Sequence, residues 1–170
     1  KIANDLRWMN SGPISGLSEI KLKALQPGSS IMPGKINPVI PEAVLMAAAQ
    51  VTGNHSTINL SCISGAFQLN TMLPVIAHNV IESFNILITS VISITETLDT
   101  LKVNHISIKE SLGRNPIIAT KLNEVVGYDK AAKIVKEAYK TNKPILEVAE
   151  SMTELSKAQL QKLLDPKKLV

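Results

Sequence analysis

The sequence is poor in cysteine, in aromatic residues and, over one long stretch, in charge. Its single cysteine, Cys62, excludes an internal disulfide framework and is typical of a reducing compartment. Five aromatic residues, 3% of the chain, are too few for the stacking platform of a single-strand nucleic-acid binder. No secretory signal peptide is evident. Because residue 1 already lies in a helical pattern, we expect the chain to be a piece of a longer protein.

The longest stretch without charged residues lies between Glu42 and Glu82. These 39 residues, 43–81, contain no Asp, Glu, Lys or Arg. A membrane span needs about 20 predominantly apolar residues, and polar side chains interrupt every window of that size. These interruptions are Gln50, Asn54, His55, Asn59, Gln68, Asn70, His78 and Asn79. We therefore predict no membrane segment here. We predict instead burial against other helices, some of them from other subunits of an obligate oligomer.

Positive charge is in excess in residues 102–170. Residues 1–101 carry five Lys/Arg and six Asp/Glu, whereas residues 102–170 carry thirteen and eight. The change predicts a boundary between a domain at 1–102 and a domain at 103–170. The lysines of the second segment alternate with acids at helical spacing, which favours a solvated surface over a nucleic-acid site. A hydrophobic content of 45% excludes a disordered chain.

Periodicity and capping signals predict an all-α fold. We expect a first helix at residues 1–10 and a second from near residue 38, broken or bent at Gly53 and at 61–65. A long, many-sided apolar helix follows, capped by Asn70-Thr71 and extending to about residue 101. Short helices are expected at 106–112, 117–124, 129–141, 145–151 and 156–164. No segment alternates like a strand. The predicted architecture is part of a long-helix bundle followed by a small helical domain.

A loop of about 25 residues, 12–37, is the most informative segment, since loops of this length in compact domains are usually functional. Its end, residues 28–38, has the sequence GSSIMPGKINP. A phosphate-binding loop is excluded because the glycine spacing is wrong and Ile36 follows Lys35. A flexible linker is disfavoured by the apolar residues. The lysine, Asn37 and backbone N–H groups could together form a carboxylate and oxyanion site.

The segment 28–38 resembles the signature loop of the fumarase/aspartase superfamily and, within it, that of class II fumarate hydratases. Further segments similar to that family are 1–5, 11–13, 42–43, 50–55, 67–70, 78–79, 127–132 and 164–166. The run 127–132 favours fumarase over aspartase. The chain departs from the family at Ile14, where many members have arginine, and at Asn123-Glu124, where Asn-Pro is usual. The family's N-terminal domain and its catalytic histidine have no counterpart in this sequence.

The resemblance implies reversible hydration of fumarate to L-malate in the tricarboxylic acid cycle. Ser29 matches the family's catalytic base, and Glu42 matches the acid that orients the histidine. Substrate-binding positions are matched by Ser30, Lys35, Ile36 and Asn37. No metal and no cofactor are implied, and the site is expected to combine segments of a homotetramer.

Two alternatives stay open, an aspartate ammonia-lyase and a catalytically silent helical scaffold of the same superfamily. The expected partners are a small dicarboxylate and further copies of the chain, without nucleic acid or membrane. The expected location is the cytoplasm, or the mitochondrial matrix in a eukaryote.

Overall fold

The computed structural model of the chain describes residues 1–169 and confirms the all-α prediction. The described residues contain eight α-helices and one two-stranded antiparallel sheet. They fall into two compact units, Lys1–Asn104 and His105–Val170. The elements of the first unit are α1 (Ile2–Met9), β1 (Ile20–Lys21), α2 (Val39–Cys62), α3 (Leu73–Asp99) and β2 (Lys102–Val103).

The two long helices of the first unit, α2 and α3, pack against each other, and α1 packs against α2. The helix is not broken at Gly53, because α2 continues through it, and it ends at Cys62, within the predicted stretch 61–65. One glycine inside a helix costs only about 1 kcal/mol relative to alanine, and contacts with α3 outweigh that cost. His55 therefore lies inside the helix, where its Nε2 is 3.1 Å from Asn59 Nδ2.

The start of α3 also differs from the prediction. The helix begins at Leu73, with Pro74 in its first turn, and the predicted cap by Asn70-Thr71 is wrong because no side chain caps this helix. Asn70 instead fixes the connection between the helices. Its Oδ1 accepts from Met72 N (2.8 Å), and its Nδ2 donates to Ser61 O (2.9 Å).

Burial in α2 and α3 is inverted relative to an ordinary helical pair. The buried residues of α2 are Pro41, Asn54 and Ser61, and the only one of α3 is Asn79. Asn54 Nδ2 donates to Glu82 Oε2 (3.2 Å) and to Ser83 Oγ (3.1 Å), so polar groups join the two helices. Large apolar side chains of the pair are solvent-exposed in the single chain. They are Met46, Leu60, Leu73, Ile81, Phe84, Leu87, Ile88, Val91, Ile92 and Leu98.

By length and composition alone, α3 is also the one helix among residues 1–169 that could cross a membrane. Glu82 and Ser83 of α3 accept hydrogen bonds from Asn54 of α2, so α3 packs against a neighbouring helix of the same chain through polar groups. The absence of a membrane segment stays a prediction.

The small sheet was not predicted. Ile20 pairs with Val103 and Lys21 pairs with Lys102, and two-residue strands are too short to show alternation. Asn104 extends this contact, since its backbone N–H donates to Glu19 O (2.8 Å). Residues 102–104 therefore belong structurally to the first unit.

The second unit has a conventional apolar core. Its helices are α4 (His105–Arg114), a 3₁₀ helix (Pro116–Leu122), α5 (Asn123–Val126), α6 (Tyr128–Thr141), α7 (Ile145–Met152), α8 (Lys157–Leu163) and a final 3₁₀ turn (Pro166–Lys168). The single helix predicted at 117–124 is thus a 3₁₀ helix followed by one short α-helix. Asn115 caps that 3₁₀ helix, its Oδ1 accepting from Ile117 N (3.0 Å).

Local capping chemistry sets the ends of the last helices. Ser156 begins α8 through a reciprocal capping box with Gln159. At the start of α7, Lys143 Nζ bonds Glu147 Oε1 (2.8 Å). This hydrogen bond and the attraction of the carboxylate raise the pKa of Lys143 above its ordinary value.

Ile134→Ala is expected to destabilise the second unit by about 2–5 kcal/mol, because the deletion leaves a cavity in its core. Ile134 is fully buried among the core side chains of this unit, Leu122 and Leu160 included. Chemical denaturation followed by circular dichroism measures the change. Lys133→Gln, at an exposed neighbouring site, is the control and should stay within about 0.5 kcal/mol of the unsubstituted protein. Equal midpoints for the two variants would contradict this core.

Candidate active site

The loop 28–37 is closed at its base by hydrogen bonds between its two ends. Gly28 N donates to Lys35 O (2.7 Å), and Asn37 Nδ2 donates to Gly28 O (3.1 Å). A Cβ at Gly28 would lie 2.7 Å from Lys35 O and 3.0 Å from Asn37 N, so only glycine allows this approach. Asn37 thus uses one amide hydrogen to hold the loop, and its Oδ1 and second hydrogen are left for other partners.

Ser29 lies at a point where two backbone N–H groups converge. Its Oγ accepts from Ile31 N and from Met32 N, each at 3.2 Å. The turn is continued by Lys35 N, which donates to Met32 O (3.3 Å). Two donors aimed at one hydroxyl oxygen stabilise negative charge on that oxygen. The loop geometry therefore favours a serine that loses its proton more readily than an isolated one.

A cavity of about 460 Å³ opens beside this loop. Ser29, Lys35 and Ile36 line it together with Met32 and Pro33. Among the described residues, no carboxylate forms an ion pair with Lys35. A small anionic molecule in the cavity would therefore meet a cation and a polarised serine hydroxyl.

Like Asn37, two further predicted site residues lie outside that lining. Ser30 is solvent-exposed next to Ser29. Glu42 lies in the first turn of α2, where its N–H donates to Pro38 O (3.1 Å). Its carboxylate Oε1 is 3.9 Å from Nε of Arg7 on α1. Glu42 and the serine loop are therefore connected through the start of α2.

Metal-ligating side chains do not gather in the described part of the chain. No group of three or more His, Cys, Asp or Glu that could hold a metal ion occurs within it. The prediction of no metal and no cofactor stays a prediction.

Two family models match the chain at its two ends. The model described as "Lyase" matches residues 1–53, and the model described as "Fumarase C C-terminus" matches residues 118–170. The chain is 54% identical over 170 residues to "Fumarate hydratase class II 2" of Pseudomonas aeruginosa, covering 99% of this chain and 37% of that protein. Identity to the class II fumarate hydratase of Bacillus anthracis is 43%, covering 100% of this chain and 37% of the relative.

Over nearly its whole length the chain is similar to class II fumarate hydratases. The predicted resemblance is thereby confirmed. Solved structures agree with this similarity. The fumarate lyase:delta crystallin of Brucella melitensis matches with a TM-score of 0.92 at 43% identity, covering 99% of this chain and 36% of that chain. The class II fumarase of Schistosoma mansoni matches with a TM-score of 0.82 at 34% identity, covering 98% and 35%. The chain thus spans little more than a third of the length of the fumarases it matches.

The structure brings some of the predicted site residues together. Ser29, Lys35 and Ile36 share one cavity, and Asn37 closes the base of the loop that carries them. Sequence reasoning missed Arg7, which approaches Glu42 across 35 positions of chain. The signal available was weak, since Arg7 is one cation on a short helix. Only the packing of α1 on α2 reveals the pair.

Proposed function

We propose that this chain acts as the C-terminal part of a fumarate hydratase that interconverts fumarate and L-malate. The observation that carries the proposal is the Ser29 hydroxyl, held by two N–H donors on a cavity that it shares with Lys35. The level of identity to class II fumarate hydratases supports the same reaction.

The proposed elimination begins with L-malate bound by its carboxylates. Ser29, as the alkoxide, removes a proton from the carbon beside one carboxylate, and negative charge builds on that carboxylate as an aci-carboxylate. The Lys35 ammonium and the remaining amide hydrogen of Asn37 stabilise this charge, while Ser30 and the backbone of Ile36 hold the substrate. The hydroxyl on the neighbouring carbon then leaves as water after receiving a proton, and fumarate remains. Hydration is the reverse.

Glu42 has a different part in the proposal. It orients a catalytic histidine contributed from outside this chain, as a carboxylate sets the tautomer and direction of an imidazole. The unpartnered apolar faces of α2 and α3 support a complete protein that is a homotetramer, with each site built from several subunits. We further place the protein in the tricarboxylic acid cycle, in the cytoplasm or in a mitochondrial matrix.

A substrate comparison tests the reaction directly. The complete protein is assayed with L-malate, fumarate and L-aspartate, following fumarate by its ultraviolet absorbance. We expect interconversion of malate and fumarate and no release of ammonia from aspartate. Ammonia release without hydration would identify an ammonia-lyase, and the absence of both reactions would identify a silent scaffold.

The 170-residue chain by itself is expected to be inactive as a hydratase. The three histidines in its sequence lie on helices, and none lines the cavity of Ser29. The measurement is the fumarate absorbance assay with purified chain at micromolar concentration. Turnover of malate by this chain would show that the proposed external histidine is unnecessary.

Gly28→Ala in the complete protein is expected to lower kcat by about 10²-fold, because the added Cβ displaces the backbone that aims Ser29. Steady-state kinetics and a thermal unfolding curve are measured together. Gly113→Ala is the matched control, since a Cβ there meets nothing within 4 Å. Equal kcat values for the two variants would contradict a catalytic requirement for the loop geometry.

A further inference from the structure

Arg7 carries a polar atom that the described structure leaves without a hydrogen-bond partner. Its Nε is buried and unpaired, and it is the only such side-chain nitrogen or oxygen among the described residues. The other end of the guanidinium is engaged, since Nη1 donates to Asn4 Oδ1 (3.3 Å). Native proteins rarely leave a buried N–H unpaired, because doing so costs the free energy of desolvation without compensation.

The carboxylate at ion-pair distance from this N–H is that of Glu42. Nε and Oε1 are 3.9 Å apart, which is an ion-pair distance but too long for a hydrogen bond. A movement of about 1 Å would bring them to hydrogen-bond distance. Arg7 lies on the helix before the long loop and Glu42 on the helix after it, so their contact ties together the two sides of the loop that carries Ser29.

We propose that Arg7 is a positioning residue that fixes the direction of the Glu42 carboxylate. The inference rests on the proposed function, in which Glu42 orients a histidine from outside this chain. A carboxylate has two oxygens, and Arg7 approaches Oε1 from the side of α1, which leaves Oε2 for the imidazole. The planar guanidinium holds a carboxylate in a fixed plane, which a flexible ammonium does less well.

A purely structural ion pair between α1 and α2 would have other consequences. It would contribute to stability and would lower activity only as far as the protein unfolds. A positioning contact changes kcat at constant folded fraction, and its effect depends on the Glu42 carboxylate. A double-mutant cycle separates these two roles.

The experiment measures kcat and KM for fumarate in the complete protein and in four variants, Arg7→Gln, Arg7→Lys, Glu42→Gln and the Arg7→Gln/Glu42→Gln double variant. Arg7→Gln is expected to lower kcat about 10- to 100-fold with KM nearly unchanged, the usual range for loss of a supporting contact. Arg7→Lys should recover part of kcat. The double variant should match Glu42→Gln, because Arg7 has nothing left to orient.

Arg114 is the other of the two arginines in the sequence. Arg114→Gln is the control and should keep full kcat. Thermal unfolding of every variant reports the folded fraction. If Arg7→Gln does not fold, the same cycle is measured with Arg7→Lys. Full kcat in Arg7→Gln, or an equal loss with and without the Glu42 carboxylate, would overturn the positioning role. Full kcat in Glu42→Gln would instead overturn the proposed role of Glu42, and that of Arg7 with it.

Discussion

Replacing Ser29 with alanine in the complete protein is expected to lower kcat about 10²- to 10⁴-fold, the usual contribution of a general base. KM for fumarate should change little, because Ser29 abstracts a proton and is not the anchor of the carboxylates. The structural basis is the pair of N–H groups from Ile31 and Met32, each 3.2 Å from the hydroxyl oxygen. These donors stabilise an oxygen anion and have no comparable acceptor in the alanine variant.

Two neighbouring substitutions control this measurement. Ser30→Ala should raise KM more than it lowers kcat, since Ser30 is exposed and proposed to bind substrate. Lys35→Met should both lower kcat and raise KM, because the lysine charge stabilises the carboxylate in the bound substrate and in the transition state. Near-native kcat in Ser29→Ala would show that the base is another group, and Ser30 would become the candidate.

Placing a charge on the exposed apolar face of α3 is expected to prevent assembly of the oligomer or to make the protein insoluble. Leu87 is 42% exposed in the single chain, so Leu87→Glu would be harmless in a monomer. In a multi-subunit bundle the same carboxylate would be buried without a partner, at a cost of several kcal/mol. Sedimentation velocity measures the mass of the purified protein.

Lys133→Glu is the matched control, because it introduces the same carboxylate at an exposed site of the second unit. It should leave the sedimentation coefficient unchanged. An assembly of unaltered mass with Leu87→Glu would show that this face of α3 stays in contact with water. A monomeric unsubstituted protein at micromolar concentration would show the same.

The helices were predictable where their signals are local. The start of α8, for example, follows from Ser156 as its N-cap. The course of α2 through Gly53 was not predictable, because contacts with α3 decide it. The pairing of Ile20 with Val103 was also hidden, since the partners are far apart in sequence and each strand has two residues.

The site divides in the same way. The residue types at 28–38 allowed a carboxylate site to be predicted, and the family resemblance assigned a role to each residue. The convergence of two N–H groups on Ser29 depends on the turn that the loop makes, which no pattern in the sequence encodes. The approach of Arg7 to Glu42 depends on helix packing and needed the structure.

The inverted burial of α2 and α3 bears on how the stability of the protein depends on its concentration. If the apolar faces of a unit are covered only by other copies, its stability decreases when the subunit concentration is lowered, by mass action. The second unit has its own buried core and has no such dependence. Heating should therefore give two transitions, and only the transition of the first unit, Lys1–Asn104, should shift with protein concentration. A chain that has not yet met its proposed partners exposes the apolar face of α3, and exposed apolar surface of this kind makes unassembled subunits prone to aggregate.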